Sequence, residues 1–221
     1  MYNILIACDS GYYNKWGVNC IKSIKHYTPW VNITVVIVNP TNIEELTGIR
    51  YVYDNREFVS EESKIGYYQC LRFLKVPELF KDDELVLTLD CDTICTREFT
   101  PTDFINVTKT VHVLKHHKEN RWLAGFVSYG KDNFRHRFKD ALMQKPIDEW
   151  AHGWDQEVLN NLQPEYKYSP INIGTWVSFG KGIGTFLTLK GTQKESPKYL
   201  PNYLEKMEKI SGKYWQGSKH N

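Results

Sequence analysis

Three nearly continuous apolar runs, at positions 2–8, 33–38 and 85–89, restrict the fold of this chain more than any other feature. A strand has such a composition when both of its faces are covered, as in an α/β sheet. Between these runs apolar residues recur at helical spacing, so strand and helix alternate. The sequence therefore predicts an α/β fold with a mixed, mostly parallel central sheet and helices on both sides.

The remaining predicted elements follow from the same patterns. Further strands are predicted at 51–53, 111–114, 122–130 and 175–180. Helices are predicted at 16–27, 62–75, 134–142, 154–162 and 201–210, and a glycine-rich turn at 180–184. With 221 residues, and without an internal repeat or a linker, the chain is expected to form one domain over 1–221.

Composition excludes several classes of protein. The net charge of +2 is too small for non-specific binding to nucleic acid, so no nucleic-acid partner is expected. No apolar run approaches the roughly 20 residues of a transmembrane segment, and the N-terminal run does not resemble a signal peptide. The five cysteines are odd in number and too sparse for a disulfide scaffold. We therefore expect free thiols and a cytoplasmic location.

Two acidic residues, Asp90 and Asp92, follow directly after the apolar run at 85–89. Alternate side chains of an extended chain share a face, so both carboxylates are expected at the carboxyl end of the strand. Open α/β sheets bind their ligands at this edge. Hard oxygen ligands suit Mn²⁺ or Mg²⁺, whose open positions phosphate oxygens can fill. The pair thus indicates a metal site for a phosphate-containing substrate, and the alternative is two solvated turn residues.

Four segments, taken in order, resemble a known group of enzymes. The segment "LTLDCDTIC" at 87–95 is similar to the D-x-D strand of GT-A glycosyltransferases. Glycosyltransferase family 8, which includes glycogenin and lipopolysaccharide galactosyltransferases, has counterparts of three more segments. These are "ILIACDSGYY" at 4–13, "YYQCLRFLKVPELF" at 67–80 and "WDQEVLNNL" at 154–162. The resemblance implies a GT-A type nucleotide-diphospho-sugar transferase fold.

The resemblance also implies roles for residues on the nucleotide side. Asp9 would accept a hydrogen bond from the base or ribose, and Tyr12 or Tyr13 would stack on the base. Lys64 stands where related enzymes have a basic donor contact, and the alternative is a solvated helix lysine. Lys181, Lys190 and Lys194 are candidates for neutralising the diphosphate, and their alternative is a solvated surface.

On the sugar side, the resemblance implies that Asp155 and Gln156 lie beside the reacting anomeric centre and are candidate catalytic residues. Asp155 is alternatively a helix cap or a partner of the helix dipole. Ala124 and Gly125 match the end of the family's asparagine-alanine-glycine segment, but Leu123 stands where the asparagine belongs. The sugar specificity of the family therefore cannot be transferred to this chain.

The metal-binding histidine of the family has no clear equivalent. Phe179 and Thr188 stand at the positions where it would be expected, so a third protein ligand for the metal is not identified.

These observations favour a metal-dependent glycosyltransferase that moves a sugar from a nucleoside diphosphate, most simply a UDP-sugar, to an unidentified glycan, protein or lipid acceptor. Retention of anomeric configuration is implied by the resemblance alone. One alternative is a non-catalytic module that binds nucleotide sugars. A sugar-phosphate nucleotidyltransferase is disfavoured, because "CDSGYYNKWG" at 8–17 lacks the glycine-rich loop of that class.

Overall fold

The computed structural model describes residues 2–100, 111–116, 121–130, 133–171, 176–179, 184–189 and 191–211. Its strands are Tyr2–Asp9 (β1), Asn32–Val38 (β2), Arg50–Asp54 (β3), Leu85–Leu89 (β4), Thr93–Cys95 (β5), His112–His116 (β6), Arg121–Tyr129 (β7), Ser169–Ile171 (β8), Val177–Phe179 (β9) and Phe186–Thr188 (β10). Its α-helices are Ser10–Tyr12 (α1), Val18–Tyr27 (α2), Glu61–Leu79 (α3), Phe134–Leu142 (α4), Trp154–Asn161 (α5) and Leu200–Ser211 (α6). A π-helical turn at Tyr13–Gly17 joins α1 to α2, and 3₁₀ turns occur at Ile147–Glu149 and Gly191–Lys194.

The central sheet has seven strands in the order β3-β2-β1-β4-β7-β6-β8. The first four of these strands are parallel to one another, β7 runs antiparallel to both β4 and β6, and β8 is parallel to β6. A second sheet of three strands has the order β5-β10-β9. The predicted mixed, mostly parallel sheet is therefore confirmed.

Apolar side chains cover both faces of the central sheet. One layer contains residues from α3, α4 and α5, including Leu71, Phe138 and Leu159. The other layer contains α2 residues such as Ile21, together with Phe186 of the small sheet. Strands β1, β2 and β4 are buried almost throughout, as their continuous apolar runs predict.

Helix α3 is longer than the sequence indicates. It begins after Ser60, whose hydroxyl accepts a hydrogen bond from the backbone N–H of Ser63 at 3.1 Å, and it continues through Pro77 to Leu79. Pro77 is tolerated because it lies in the last turn, where a missing N–H removes one hydrogen bond and few residues follow. Across the parts of the chain that the structure describes, no helix combines the length and apolar character that crossing a membrane requires.

Three short strands, β5, β8 and β10, are not predicted from the sequence. Each has three residues, which is too short for a periodic pattern, and each forms by pairing with distant segments. The strand predicted at 175–180 is observed as Val177–Phe179, and most of the predicted turn at 180–184 lies outside the described residues.

Candidate active site

The two acids lie where β4 ends, at the edge of the sheet where β1 also ends at Asp9. The backbone N–H of Asp90 donates to the carbonyl of Gly125 on β7 at 3.2 Å, which fixes the start of the turn. Cys91, between the acids, is buried with its Sγ 3.4 Å from that of Cys8. The turn therefore anchors one side chain in the core and presents the flanking carboxylates at the edge.

Two adjoining cavities of about 370 and 700 Å³ meet at this acid pair. The smaller cavity extends along the end of β1 and the near face of α3 and is lined there by Asp9, Tyr12, Ile65 and Tyr68. The larger cavity extends along β7 and the start of α5 and is lined there by Ala124, Gly125, Asp155 and Gln156. Both are lined by Gln69, Arg72, Asp90, Asp92 and Lys194.

Asp92 is buried, with 6% of its side chain exposed, and both of its oxygens have partners. Its Oδ2 accepts a hydrogen bond from the Tyr12 hydroxyl at 2.6 Å and lies 2.5 Å from Nζ of Lys194. Its Oδ1 accepts from the Thr188 hydroxyl at 3.1 Å. Burial and the Asp92 carboxylate raise the pKa of Tyr12 far above its ordinary value, so the Tyr12 hydroxyl stays protonated as a donor.

Arg72 of α3 links Asp90 to Asp155. Its Nη1 lies 2.6 Å from Asp90 Oδ1, and its Nη2 lies 3.5 Å from Asp155 Oδ2 and donates to the carbonyl of Ala124 at 3.1 Å. Burial disfavours the charge of Arg72, but the carboxylates of Asp90 and Asp155 raise its pKa overall. The guanidinium therefore stays charged and holds the two acids at a fixed separation.

Asp155 is buried in the first turn of α5. Burial raises its pKa, although the nearby Arg72 charge acts in the opposite direction. Asp155 is not the helix cap: that position is held by Gly153, whose φ of +86° favours glycine. The backbone N–H of Gly153 donates to Oε1 of Gln69 on α3 at 2.7 Å, so α3 also fixes where α5 begins.

Gln156 joins α5 to the edge of β7. Its Oε1 accepts from the backbone N–H of Ala124 at 3.0 Å, and its Nε2 donates to the carbonyl of Trp122. Both ends of the amide are thus engaged with the strand that lines the larger cavity. This contact places Gln156 at the cavity wall and holds Ala124 and Gly125 beside Asp90.

Of the residues predicted to contact the nucleoside, two line the smaller cavity and one does not. Asp9 lines the smaller cavity and accepts from the backbone N–H of Tyr12 at 2.8 Å, which caps α1. Tyr12 lines the same cavity. Tyr13, the predicted alternative to Tyr12, is not placed to stack on a base. It is fully buried, and its hydroxyl contacts the Glu44 carbonyl and the Tyr51 hydroxyl, both at 2.7 Å. The π-helical turn that starts at Tyr13 directs this side chain into the core.

Two of the candidate lysines, Lys64 and Lys194, fall within the described residues, and of these two the structure places Lys194 at the acid pair. Lys64 does not line either cavity and instead pairs with Glu61, one turn earlier on α3, at 3.1 Å. The pair is exposed and local, which fits the alternative of a solvated helix lysine. Lys181 and Lys190 lie outside the described residues.

Arg72 and Gln69 line both cavities but were not predicted as site residues. The sequence does carry a signal for Arg72. It follows Ile65 and Tyr68 at helical spacing, so a charged residue falls on a largely apolar helix face. A buried arginine on such a face requires acidic partners, and the acid pair supplies one of them.

The donor set at the acid pair fits a divalent cation only in part. Asp90 and Asp92 offer hard oxygen ligands, and two carboxylates completed by phosphate oxygens and water suffice for Mg²⁺ and similar ions. Within the described residues, no three His, Cys, Asp or Glu side chains are grouped to hold a metal. Thr188, one of the two residues that stand where the family's histidine would be expected, donates its hydroxyl to Oδ1 of Asp92. A metal here would depend on ligands from the substrate.

Comparison with solved structures identifies the fold. The glycosyltransferase GlyE of Streptococcus pneumoniae TIGR4 superimposes with a TM-score of 0.67 at 14% identity, over 93% of this chain and 60% of GlyE. The galactosyltransferase LgtC, in complex with donor and acceptor sugar analogs, gives 0.64 at 15% identity, over 97% of this chain and 98% of LgtC. The bifunctional glycosyltransferase WbbM gives 0.64 at 12% identity, over 97% of this chain and 50% of WbbM.

These similarities show that the chain has the GT-A glycosyltransferase fold, as the sequence motifs predicted. The chain spans less than two thirds of GlyE and half of WbbM, but nearly all of LgtC. No protein-family model matches the sequence, and no curated protein matches it. The sequence motifs and the solved structures therefore agree on the fold.

Proposed function

We propose that this protein is a glycosyltransferase that takes a sugar from a nucleoside diphosphate, most simply a UDP-sugar, and moves it to a hydroxyl-bearing acceptor. The observation that carries this proposal is the position of Asp90 and Asp92 at the junction of two cavities, at the carboxyl edge of a GT-A sheet. A nucleotide sugar has two unlike halves joined by a diphosphate. Two cavities that meet at an acid pair match that shape.

The smaller cavity suits the nucleoside. Asp9 offers a carboxylate acceptor for base or ribose, and Tyr12 and Tyr68 offer aromatic surface for the base. The larger cavity suits the sugar and the acceptor, because its walls near Asp155 and Gln156 are polar. The diphosphate would then lie between the cavities, beside Lys194 and the acid pair.

Asp90 and Asp92 would hold Mn²⁺ or Mg²⁺, which would supply positive charge to stabilise the departing diphosphate. Lys194 would add a second positive charge to the same leaving group. Asp155 would place a buried negative charge near the anomeric carbon, where positive charge develops as the bond to the diphosphate breaks. Arg72 would fix the position of Asp155, and Gln156 would fix the β7 wall.

Replacing Asp92 with asparagine is expected to abolish metal-supported binding of UDP and to leave the fold intact. The change removes the negative charge of a proposed metal ligand and keeps nearly the same side-chain shape. Thermal unfolding of both proteins with Mn²⁺ and UDP measures the effect, and Asp148→Asn, at an exposed acid in a 3₁₀ turn, is the matched control. An unchanged ligand-induced shift in the Asp92 variant would remove this residue from the site.

Replacing Gly125 with alanine is expected to weaken UDP binding in the presence of Mn²⁺ by about tenfold or more, which corresponds to about 1.4 kcal/mol. A Cβ at this position would lie 2.5 Å from Oδ2 of Asp90, so the carboxylate would have to move. The Asp90 side chain is 36% exposed, so it can move toward solvent, at the cost of its contact with Arg72. Titration calorimetry checks this expectation, and equal affinity for the two proteins would contradict it.

A second candidate is a module that binds nucleotide sugars without transferring them. The feature that favours it is Leu123, where the family has a polar donor-sugar contact, together with an acid pair already neutralised by Arg72 and Lys194. Incubation with a panel of nucleotide sugars and Mn²⁺ separates the candidates. A transferase should slowly release free nucleoside diphosphate even without an acceptor, and a binding module should release none.

We further propose that the protein works in the cytoplasm. All five cysteines are buried free thiols, and the Cys91 thiol donates a hydrogen bond to Sγ of Cys8 at 3.4 Å without forming a disulfide. Neighbouring thiols of this kind persist most readily in a reducing compartment.

A further inference from the structure

The ammonium group of Lys194 occupies the place at Asp92 where a bound cation would be expected. Its Nζ lies 2.5 Å from Oδ2 of Asp92 and 4.8 Å from the centre of the Tyr12 ring, which provides a second favourable contact for a positive charge. Thr188 takes the other oxygen of the same carboxylate. The negative charge of Asp92 is therefore already balanced by Lys194 in the protein without ligands.

A divalent cation and this ammonium group cannot share Asp92 without cost. A cation bound to Oδ2 would stand within a few ångströms of Nζ, in a place where solvent screening is weak because the Asp92 side chain is 6% exposed. With two carboxylates as its protein ligands, a metal has little binding energy with which to displace a lysine. The competition therefore matters more here than it would in a site with several protein ligands.

We propose that Lys194 and a divalent cation are alternative partners of Asp92, and that a nucleoside diphosphate decides between them. This inference rests on the proposed function, because it requires a diphosphate ligand in the site. Without nucleotide, Lys194 holds Asp92 and the cation binds weakly. With nucleotide, the Lys194 side chain moves so that its ammonium group contacts the diphosphate. The cation then binds to the acid pair in its place.

The position of Lys194 allows its side chain to change partner from Asp92 to a diphosphate. Its side chain is 25% exposed, lines both cavities and lies at the end of the 3₁₀ turn Gly191–Lys194, so it reaches the space that joins the cavities. A diphosphate in that space would offer it several anionic oxygens. Because coupling between two ligands is reciprocal, nucleotide and cation should each tighten the binding of the other by the same factor.

The test measures Mn²⁺ binding directly, from the paramagnetic resonance signal of the free ion, with and without saturating UDP. Wild-type protein should bind Mn²⁺ at least tenfold more tightly with UDP than without it. Lys194→Gln should bind Mn²⁺ about tenfold more tightly than wild type in the absence of UDP. Lys194→Arg keeps the positive charge and should resemble wild type without UDP.

Lys198→Gln is the matched control, because it removes an exposed lysine from the same segment and should leave Mn²⁺ binding unchanged. Equal Mn²⁺ affinity of Lys194→Gln and wild type without UDP would overturn the proposal, as would a wild-type affinity that UDP does not alter when UDP itself binds. Failure of UDP to bind at any Mn²⁺ concentration would instead contradict the proposed function. The comparison of Lys194→Gln with wild type uses no nucleotide, so it still decides whether lysine and cation compete.

Discussion

Replacing Asp155 with asparagine is expected to slow the release of UDP from a UDP-sugar by about a hundredfold, which corresponds to about 2.7 kcal/mol in the activation free energy. Under the proposed function, the change removes a buried negative charge beside the anomeric carbon, where positive charge would develop. It should cost little stability, because burial raises the pKa of Asp155 and thus already disfavours the charged form in the folded protein. Hydrolysis rate and melting temperature are measured on one sample.

The control for this prediction is Asp140→Asn, which removes an exposed carboxylate from α4 and should change neither quantity. If the Asp155 variant hydrolysed the donor at the wild-type rate, Asp155 would have a structural role only. A large loss of melting temperature in that variant would show instead that the ion pair with Arg72 serves chiefly for stability.

Replacing Arg72 with methionine is expected to lower the free energy of unfolding by about 3–5 kcal/mol at pH 7, because it leaves the buried Asp155 carboxylate without its cation. For a chain of this size, such a loss corresponds to a fall in melting temperature of roughly 10 °C. Arg72→Lys keeps a positive charge and should lose less. Urea unfolding of the three proteins measures the difference.

The sign of the pH dependence tests the cause of this loss. The pKa of Asp155 in the folded protein is raised by burial even with Arg72 present, and removing Arg72 would raise it further. An acid whose folded pKa lies above its unfolded pKa destabilises the fold at pH values above the unfolded pKa, and this penalty shrinks as the pH falls through the folded pKa and the folded state takes up a proton. The gap between wild type and Arg72→Met should therefore be smaller at pH 5 than at pH 7. An equal gap would point to lost packing rather than lost charge.

The central elements of the fold could be predicted because their patterns are local. The apolar runs of β1, β2 and β4 are unbroken, and the two acids follow immediately after the end of β4. Strand β10 could not be predicted, because its three residues become a strand through pairing with β5, nearly a hundred positions earlier, as in Thr188 with Thr93. Periodicity does not report on contacts at such a distance.

The site was predictable to the extent that its residues follow strands. Asp9 and Asp90 could be placed at the sheet edge, but the neighbouring Tyr12 and Tyr13 could not be told apart, since a π-helical turn decides which ring reaches the cavity. Lys64 could have contacted either a ligand or a neighbouring acid of the same helix, and in the structure it pairs with Glu61. The link from Lys194 to Asp92 depends on tertiary structure and leaves no pattern in the sequence.

Helix α3 gives the site its dimensions. It carries Arg72, which holds the acid pair, and Gln69, which holds the beginning of α5 at Gly153. Both contacts come from consecutive turns of a 19-residue helix that is itself part of the core. The separation of Asp90 and Asp155 is therefore set by a helix that is packed in the core and does not depend on loop conformation. A site built in this way has no melting transition of its own, so heat inactivation would coincide with loss of the whole fold.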